Sequence, residues 1–287
     1  MTKGSCYIRN GRDPAQGGSM RLSRRAATAS ALLLTPALAL FGASAAVSAP
    51  RIQATDYVAL GDSYSSGVGA GSYDSSSGSC KRSTKSYPAL WAASHTGTRF
   101  NFTACSGART GDVLAKQLTP VNSGTDLVSI TIGGNDAGFA DTMTTCNLQG
   151  ESACLARIAK ARAYIQQTLP AQLDQVYDAI DSRAPAAQVV VLGYPRFYKL
   201  GGSCAVGLSE KSRAAINAAA DDINAVTAKR AADHGFAFGD VNTTFAGHEL
   251  CSGAPWLHSV TLPVENSYHP TANGQSKGYL PVLNSAT

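Results

Sequence analysis

The chain lacks the short motifs that identify many cofactor- and metal-dependent proteins. It has no P-loop, no His-Glu-x-x-His pair and no Gly-x-Gly-x-x-Gly directly after a strand-like run. The nearest glycine pattern, Gly67 to Gly71, lies in a serine-rich segment. No two cysteines form a close Cys-x-x-Cys pair, which argues against a zinc site. The sequence therefore implies neither a cofactor nor a metal ion.

A long apolar run is missing as well. The run from Ala31 to Phe41 is too short and too rich in alanine and proline for a stable membrane span. Arginines precede this run and small residues follow it, a pattern typical of a secretory signal. We predict that residues 1–49 are a leader, cleaved near residues 45–49, and that residues 50–287 form a single domain of an extracellular protein. A retained membrane anchor is the alternative.

An excess of one charge is absent once the leader is set aside. The whole chain carries a net charge of +5, but the leader holds six of the 24 basic residues and one of the 19 acidic residues. The remaining 18 basic and 18 acidic residues give no basic surface of the kind that binds nucleic acid. The roughly 240 residues after the leader are enough for one α/β domain.

Cysteine is present in a number that suits an exported protein. One of the seven cysteines, Cys6, lies in the leader, and six follow it. An even number in an oxidising compartment indicates three disulfides, but six cysteines allow about 15 pairings and the sequence alone does not choose among them.

Strand-like and helix-like segments alternate along the chain. The strand-like runs are Asp56–Leu60, Arg99–Thr103, Leu127–Ile132, Val189–Leu192 and Phe236–Asp240. The helix-like segments are Ser86–His95, Thr110–Leu118, Ser152–Arg183 with a kink or break at Pro170, Ser209–His234 and Pro270–Tyr279. This alternation predicts a doubly wound α/β sandwich with its ligand site at the carboxyl ends of the strands. We expect segments 65–79 and 140–152 to be loops at a mobile substrate entrance.

Four short clusters carry residues suited to nucleophilic catalysis. In chain order they are Gly61-Asp62-Ser63-Tyr64, Cys105-Ser106-Gly107-Ala108, Gly133-Gly134-Asn135-Asp136 and His269-Pro270-Thr271. A serine hydroxyl needs a neighbouring base before it can attack a carbonyl carbon, and the chain offers both. Taken singly, Ser63 also suits a helix cap, and Gly107 and Asn135 also suit ordinary turns.

These clusters resemble the conserved blocks of the SGNH (GDSL-type) hydrolases, over about residues 54–280. Within that family the chain is similar to secreted actinobacterial lipases and phospholipases A1. The resemblance implies a three-layer α/β/α sandwich around a mostly parallel, flavodoxin-like doubly wound sheet. It also implies that Ser63 is the nucleophile, that His269 is the base, and that Ser63, Gly107 and Asn135 form the oxyanion hole. The disulfides that it implies are Cys80–Cys105, Cys146–Cys154 and Cys204–Cys251.

The third member of a catalytic triad is missing from its usual place. Many relatives carry an aspartate three residues before the catalytic histidine, where this chain has Asn266. The close lipase relatives are thought to use a main-chain carbonyl instead, and a carbonyl that accepts from Nδ1 would still orient the ring of His269. We predict the backbone carbonyl of Asn266 as this support, with the Ser267 carbonyl or the Glu265 carboxylate as alternatives.

The resulting functional prediction is a secreted, metal-independent carboxylic ester hydrolase of the triacylglycerol lipase type. A phospholipase A1, a short-chain or carbohydrate acetyl esterase and a non-catalytic binding module are the alternatives. An apolar acyl groove lined by Phe139, Phe197, Tyr198, Trp256 and Leu257 is plausible, although these residues suit a core equally well. We expect a monomer that binds its lipid or ester substrate and touches a lipid interface transiently.

Overall fold

Five parallel strands form the centre of the protein. A computed structural model describes residues 54–204 and 207–287, so the predicted leader lies outside the described residues. The sheet has the strand order β2-β1-β3-β4-β5. The strands are β1 (Asp56–Gly61), β2 (Arg99–Phe102), β3 (Leu127–Thr131), β4 (Gln188–Leu192) and β5 (Ala237–Gly239).

Helices connect the strands and cover the sheet. The α-helices are α1 (Ser63–Ser66), α2 (Tyr87–Ser94), α3 (Thr110–Asp112), α4 (Phe139–Leu148), α5 (Gly150–Gln167), α6 (Leu169–Arg183), α7 (Glu210–Asp233), α8 (Asn242–Phe245) and α9 (Leu280–Ala286). Short 3-10 turns occur at Ser75–Cys80 and Val264–Asn266, and π-helical turns at Val113–Gln117 and Gly274–Tyr279. Among the described residues, no helix combines the length and the apolar composition needed to cross a bilayer.

The three inner strands are buried on both faces, as their continuous apolar sequences predict. Every residue of β3 is buried, and so are residues 57–61 of β1 and 189–192 of β4. Helices α5, α6 and α7 pack against one another, while α2 and α9 form a separate pair. The predicted three-layer sandwich with a doubly wound sheet is therefore confirmed.

The strand order places the chain reversal beside β1. From β1 the chain crosses to β2 on one side and later to β3 on the other, so a crevice opens at the carboxyl ends of β1 and β3. These two ends approach closely at Gly61, which has a φ of +117°. A Cβ atom at this position would lie 2.4 Å from the Thr131 carbonyl oxygen. Glycine is therefore required where the nucleophile segment leaves the sheet.

Two predicted segments differ from the structure in an informative way. Pro170 divides the predicted long helix, because α5 ends at Gln167 and Pro170 lies in the first turn of α6, where its missing N–H costs nothing. The prediction of a loop over residues 140–152 is wrong, since α4 and the start of α5 occupy it. Its polar composition looks loop-like, but Met143 and Cys146 are buried in the core, and this burial outweighs weak helix propensity.

The six cysteines of the described chain pair in sequential order. The bonds join Cys80 to Cys105, Cys146 to Cys154, and Cys204 to Cys251. The first bond connects the 3-10 turn Ser75–Cys80 to the loop after β2, and the second connects α4 to α5. These are the pairs that the family resemblance implies.

Candidate active site

Ser63 is the first residue of the one-turn helix α1, directly after β1. The side chain of Asp62 accepts a hydrogen bond from the Tyr64 N–H at 3.0 Å and so caps this helix. Ser63 is only 7 % exposed. The cap and the short helix hold the Ser63 hydroxyl at the carboxyl edge of the sheet.

His269 lies against this hydroxyl although 206 positions separate the two residues. Its Nε2 atom is 2.7 Å from Ser63 Oγ, and its Nδ1 atom is 3.1 Å from the carbonyl oxygen of Ser267. Because a carbonyl oxygen can only accept, Nδ1 carries the ring hydrogen. Nε2 is therefore free to accept the Ser63 proton, as a general base must.

The structure corrects the expectation that the Asn266 carbonyl orients this ring. The Asn266 carbonyl accepts from the backbone N–H of His269 at 3.2 Å, and its side chain accepts from Tyr73. Tyr268 has a φ of +66° and lies in a left-handed turn between Ser267 and His269. Across this turn the ring of His269 donates from Nδ1 to the Ser267 carbonyl. The support thus comes from one residue later than predicted.

Glu265 does not occupy the position of a catalytic acid. Its carboxylate forms an ion pair with Lys81, which holds its pKa below the usual range. The chain at His269 and Pro270 packs closely against the main chain at Gly69. A Cβ atom on Gly69 would lie 3.1 Å from His269 Cβ and 2.7 Å from the Pro270 carbonyl oxygen, and its φ is +90°. Only glycine fits there without moving the base.

Burial controls the protonation of His269. Removal from solvent lowers its pKa from 6.5 to about 4, and the backbone carbonyls of Ser267 and Glu265 offset part of this effect. A lowered pKa means that the neutral ring, the form that accepts a proton, persists well below neutral pH. The buried Ser267 carbonyl thus orients the ring without the charge that would hold it protonated.

Asn135 and Gly107 lie on neighbouring loops that one hydrogen bond joins. Asn135 Nδ2 donates to the Ala108 carbonyl at 3.0 Å, which uses one amide hydrogen and leaves the second. Gly107 has a φ of +77° and is exposed. It lines a separate depression with Cys105 and Lys116, whereas Ser63 and Asn135 line the same apolar cavity. The structure therefore brings Ser63, His269 and Asn135 together and places Gly107 at their edge.

A buried tyrosine that the sequence analysis missed links two of these loops. Tyr194 Oη donates to Asp62 at 2.5 Å and accepts from the Gly134 N–H at 3.2 Å. It therefore joins the residue before Ser63 to the residue before Asn135. Tyr64, the residue after Ser63, makes a second link: its hydroxyl donates to the carbonyl of Tyr268, the residue before His269, at 2.7 Å.

An apolar cavity opens at Ser63 and runs between the helices on one face of the sheet. It contains about 660 Å³ of space, including its open mouth. Helices α4, α5 and α7 supply most of its wall, with Met143, Ile158, Ala161, Ile165, Ile216, Ala219, Ala220 and Ile223. No group of three or more metal-ligating side chains is present within residues 54–204 and 207–287.

The predicted aromatic groove is right for two residues only. Phe139 and Phe197 line the cavity, with their ring centroids 5.1 Å apart. Tyr198, Trp256 and Leu257 do not, and Trp256 stacks on His248 instead. The main wall was missed, although Ile158 and Ile165, and Ile216 and Ile223, recur at the seven-residue spacing of one helix face. That spacing does not distinguish a cavity wall from an ordinary core.

Comparison with known proteins identifies the class. Residues 59–277 match the GDSL-like lipase/acylhydrolase family, and the chain belongs to this family. It is therefore a carboxylic ester hydrolase, as predicted. The chain is 67% identical to Lipase 1 of Streptomyces coelicolor over 268 residues, which cover 93% of this chain and 100% of that protein.

Two further relatives extend the comparison. Lipase 2 of the same species is 34% identical over 284 residues, which cover 88% of this chain and 94% of that protein. The crystal structure of phospholipase A1 from Streptomyces albidoflavus NA297 is 64% identical and superposes with a TM-score of 0.80. That match covers 82% of this chain and 100% of the solved one.

The link through Tyr194 leads to a first prediction. Tyr194→Phe removes the hydroxyl between Asp62 and Gly134, so Asn135 loses its alignment and kcat on a soluble ester falls about 10-fold or more, with KM changed less than about twofold. Steady-state kinetics measure both constants. Tyr177→Phe is the matched control, because the buried Tyr177 hydroxyl has no hydrogen-bond partner among the described residues. Equal losses in the two variants would contradict a positioning role.

The lowered pKa of His269 leads to a second prediction. Because the neutral ring is the base, kcat/KM is retained as the pH falls through 6.5 and is lost only around pH 4. A pH profile with a soluble ester measures this limb. A midpoint near 6 would instead assign the limb to Asp62, whose pKa burial raises to about 6.

Proposed function

We propose that the protein is a secreted lipase that hydrolyses fatty-acyl esters through an acyl-enzyme on Ser63. One observation carries this proposal: the hydrogen-bonded Ser63–His269 pair stands at the mouth of a cavity with an apolar wall. Three disulfides and a signal-like leader suit an extracellular location. The leader is followed by a single catalytic domain over residues 50–287.

In the proposed reaction, Ser63 Oγ attacks the ester carbonyl while His269 Nε2 takes the hydroxyl proton. The oxyanion of the tetrahedral intermediate accepts hydrogen bonds from the N–H groups of Ser63 and Gly107 and from the second hydrogen of Asn135 Nδ2. The C–O bond to the alcohol then breaks, and His269 gives its proton to the leaving oxygen. Water repeats the sequence, and the acyl group leaves as a fatty acid.

The cavity gives the proposal its substrate class. An acyl chain that enters from Ser63 contacts only hydrocarbon on α5 and α7, so each buried CH₂ group contributes about 0.8 kcal/mol. An acetyl ester fills only the mouth and gains none of this energy. Fatty-acyl esters are therefore favoured over carbohydrate acetates. A non-catalytic binding module would not need a hydrogen-bonded Ser63–His269 pair at the mouth of the cavity.

A phospholipase A1 activity is the second candidate. The observation that favours it is the 64% identity to the Streptomyces phospholipase A1, together with complete coverage of that chain. The two activities share the acyl cavity and the dyad and differ only in the alcohol. Hydrolysis of phosphatidylcholine liposomes beside a triacylglycerol emulsion separates them.

The nucleophile is tested by removing its hydroxyl. We expect Ser63→Ala to lower kcat for a mid-chain p-nitrophenyl ester by about 10³-fold or more, since within residues 54–204 and 207–287 no other hydroxyl is hydrogen-bonded to His269 Nε2. Ser94→Ala, at the exposed end of α2, is the control and retains full activity. Equal rates in the Ser63→Ala variant and the wild type would refute the serine mechanism.

The acyl cavity is tested by filling it. Ala220→Phe adds a ring to the cavity wall, so we expect kcat/KM for a C8–C12 ester to fall at least about 10-fold while acetate hydrolysis changes less than about twofold. Ala225→Phe, on the exposed side of the same helix, is the matched control. A parallel loss for both chain lengths would show that the cavity does not hold the acyl group.

A further inference from the structure

One loop beside the active site exposes three apolar side chains. Val260, Leu262 and Val264 are 59%, 89% and 68% exposed, in a segment that we call the apolar loop, residues 258–268. Single exposed hydrophobic residues are normal on a soluble protein, but a cluster of this kind marks a surface that contacts something apolar. Among the described residues only two other large hydrophobic residues, Leu148 and Leu200, are exposed to a similar degree.

The apolar loop is an ordered projection. At its base the backbone N–H of His258 donates to the His269 carbonyl at 2.9 Å, and the Tyr268 N–H donates to the His258 carbonyl at 2.9 Å. Inside the loop Ser267 Oγ accepts from the Thr261 N–H at 3.0 Å. The polar groups are thus bonded inward, and the apolar side chains are left facing water.

The loop is also attached directly to the catalytic machinery. Its penultimate residue, Ser267, provides the carbonyl for His269 Nδ1, and His269 follows its last residue. The Tyr268 side chain contacts α4, whose Met143 lines the apolar cavity, through Asn147 at 2.8 Å. A surface that binds the tip of the loop therefore lies next to the entrance through which an acyl chain reaches Ser63.

Charge excludes an electrostatic docking mode. Glu265 is the only acidic or basic residue of the loop apart from His258, and its carboxylate is paired with Lys81. The His258 ring is turned inward, with Nε2 2.8 Å from the Gly69 carbonyl oxygen. The loop carries no cluster of cations that would bind an anionic lipid surface. Its apolar tip therefore suits a lipid surface that carries no net charge.

We propose that the apolar loop is the docking element of the enzyme, and that Val260, Leu262 and Val264 insert into the surface of a zwitterionic phospholipid bilayer. This inference rests on the proposed function, and its vesicle-activity arm on the phospholipase A1 candidate, for which phosphatidylcholine is both the docking surface and the source of the acyl chain. Docking through the loop places the cavity mouth at the bilayer, so that the chain enters the cavity with little passage through water.

The test separates docking from catalysis. Vesicles of phosphatidylcholine are mixed with Ser63→Ala protein, which leaves them intact, and the bound fraction is measured by co-sedimentation. We expect the added pair Leu262→Ser and Val264→Ser to lower the partition coefficient at least about 10-fold. For the Ser63→Ala parent, salt between about 0.05 and 0.5 M should change the partition coefficient less than twofold. Leu200→Ser, an exposed leucine outside the loop, is the matched control.

A soluble substrate reports on the fold of the same variants. With Ser63 intact, the Leu262→Ser and Val264→Ser pair should hydrolyse a short-chain p-nitrophenyl ester within about twofold of the wild-type rate while losing activity on vesicles. A second variant, Leu262→Trp, keeps the tip apolar and should show a blue-shifted emission on vesicle binding. Inactivity of the wild type on every ester refutes the proposed function but leaves the binding result readable.

Four results would overturn the docking proposal. The first is unchanged vesicle binding by the serine pair, and the second is no binding by the parent protein. The third is equal loss of activity on soluble and vesicle substrates, which assigns the loop a structural role. The fourth is a dimer of the parent protein in sedimentation analysis that becomes a monomer in the serine pair, which assigns the apolar tip to a second copy of the chain.

Discussion

The buried carboxylate of Asp62 joins the parts of the structure on which the active site depends. It accepts hydrogen bonds from the Tyr64 N–H, from Thr131 at the end of β3 and from Tyr194 just after β4. These groups belong to three adjacent positions at the carboxyl edge of the sheet. Because Asp62 also precedes Ser63, the same contacts that unite the strand ends aim the serine.

Burying this carboxylate lowers the stability of the fold, as the raised pKa of Asp62 indicates. Burial raises its pKa from 3.8 to about 6 despite three hydrogen bonds that lower it. The folded protein therefore favours the protonated carboxyl, and the shift withdraws about 3 kcal/mol of stability once the pH exceeds 6. At His269 burial acts on a base and lowers the pKa, so its cost to stability arises only as the pH falls below 6.5, and the ring is neutral without that cost above it. Burial thus opposes the charged form of each group, in a different pH range for each.

Local sequence predicted the elements well where one physical signal dominated. Continuous apolar runs marked β1, β3 and β4, and Pro170 marked the division between α5 and α6. Prediction failed where distant contacts decided the outcome. Helix α4 has a polar, loop-like composition and forms because Met143 and Cys146 reach the core. The support for His269 was assigned to Asn266 by spacing, but the left-handed turn at Tyr268 presents the Ser267 carbonyl.

By itself the sequence determined the family, the sheet architecture and the chemical groups of the site, because strand patterning and the four short clusters are local properties of the chain. Only the tertiary structure decided how those groups meet. Alanines at positions 161, 219 and 220 stand among isoleucines on α5 and α7, and the cavity forms because these helices face each other there. Likewise, no local pattern shows that Tyr194 joins Asp62 to Gly134, since the contact spans 132 positions on one side and 60 on the other. Packing brings such residues together, and packing depends on the whole fold.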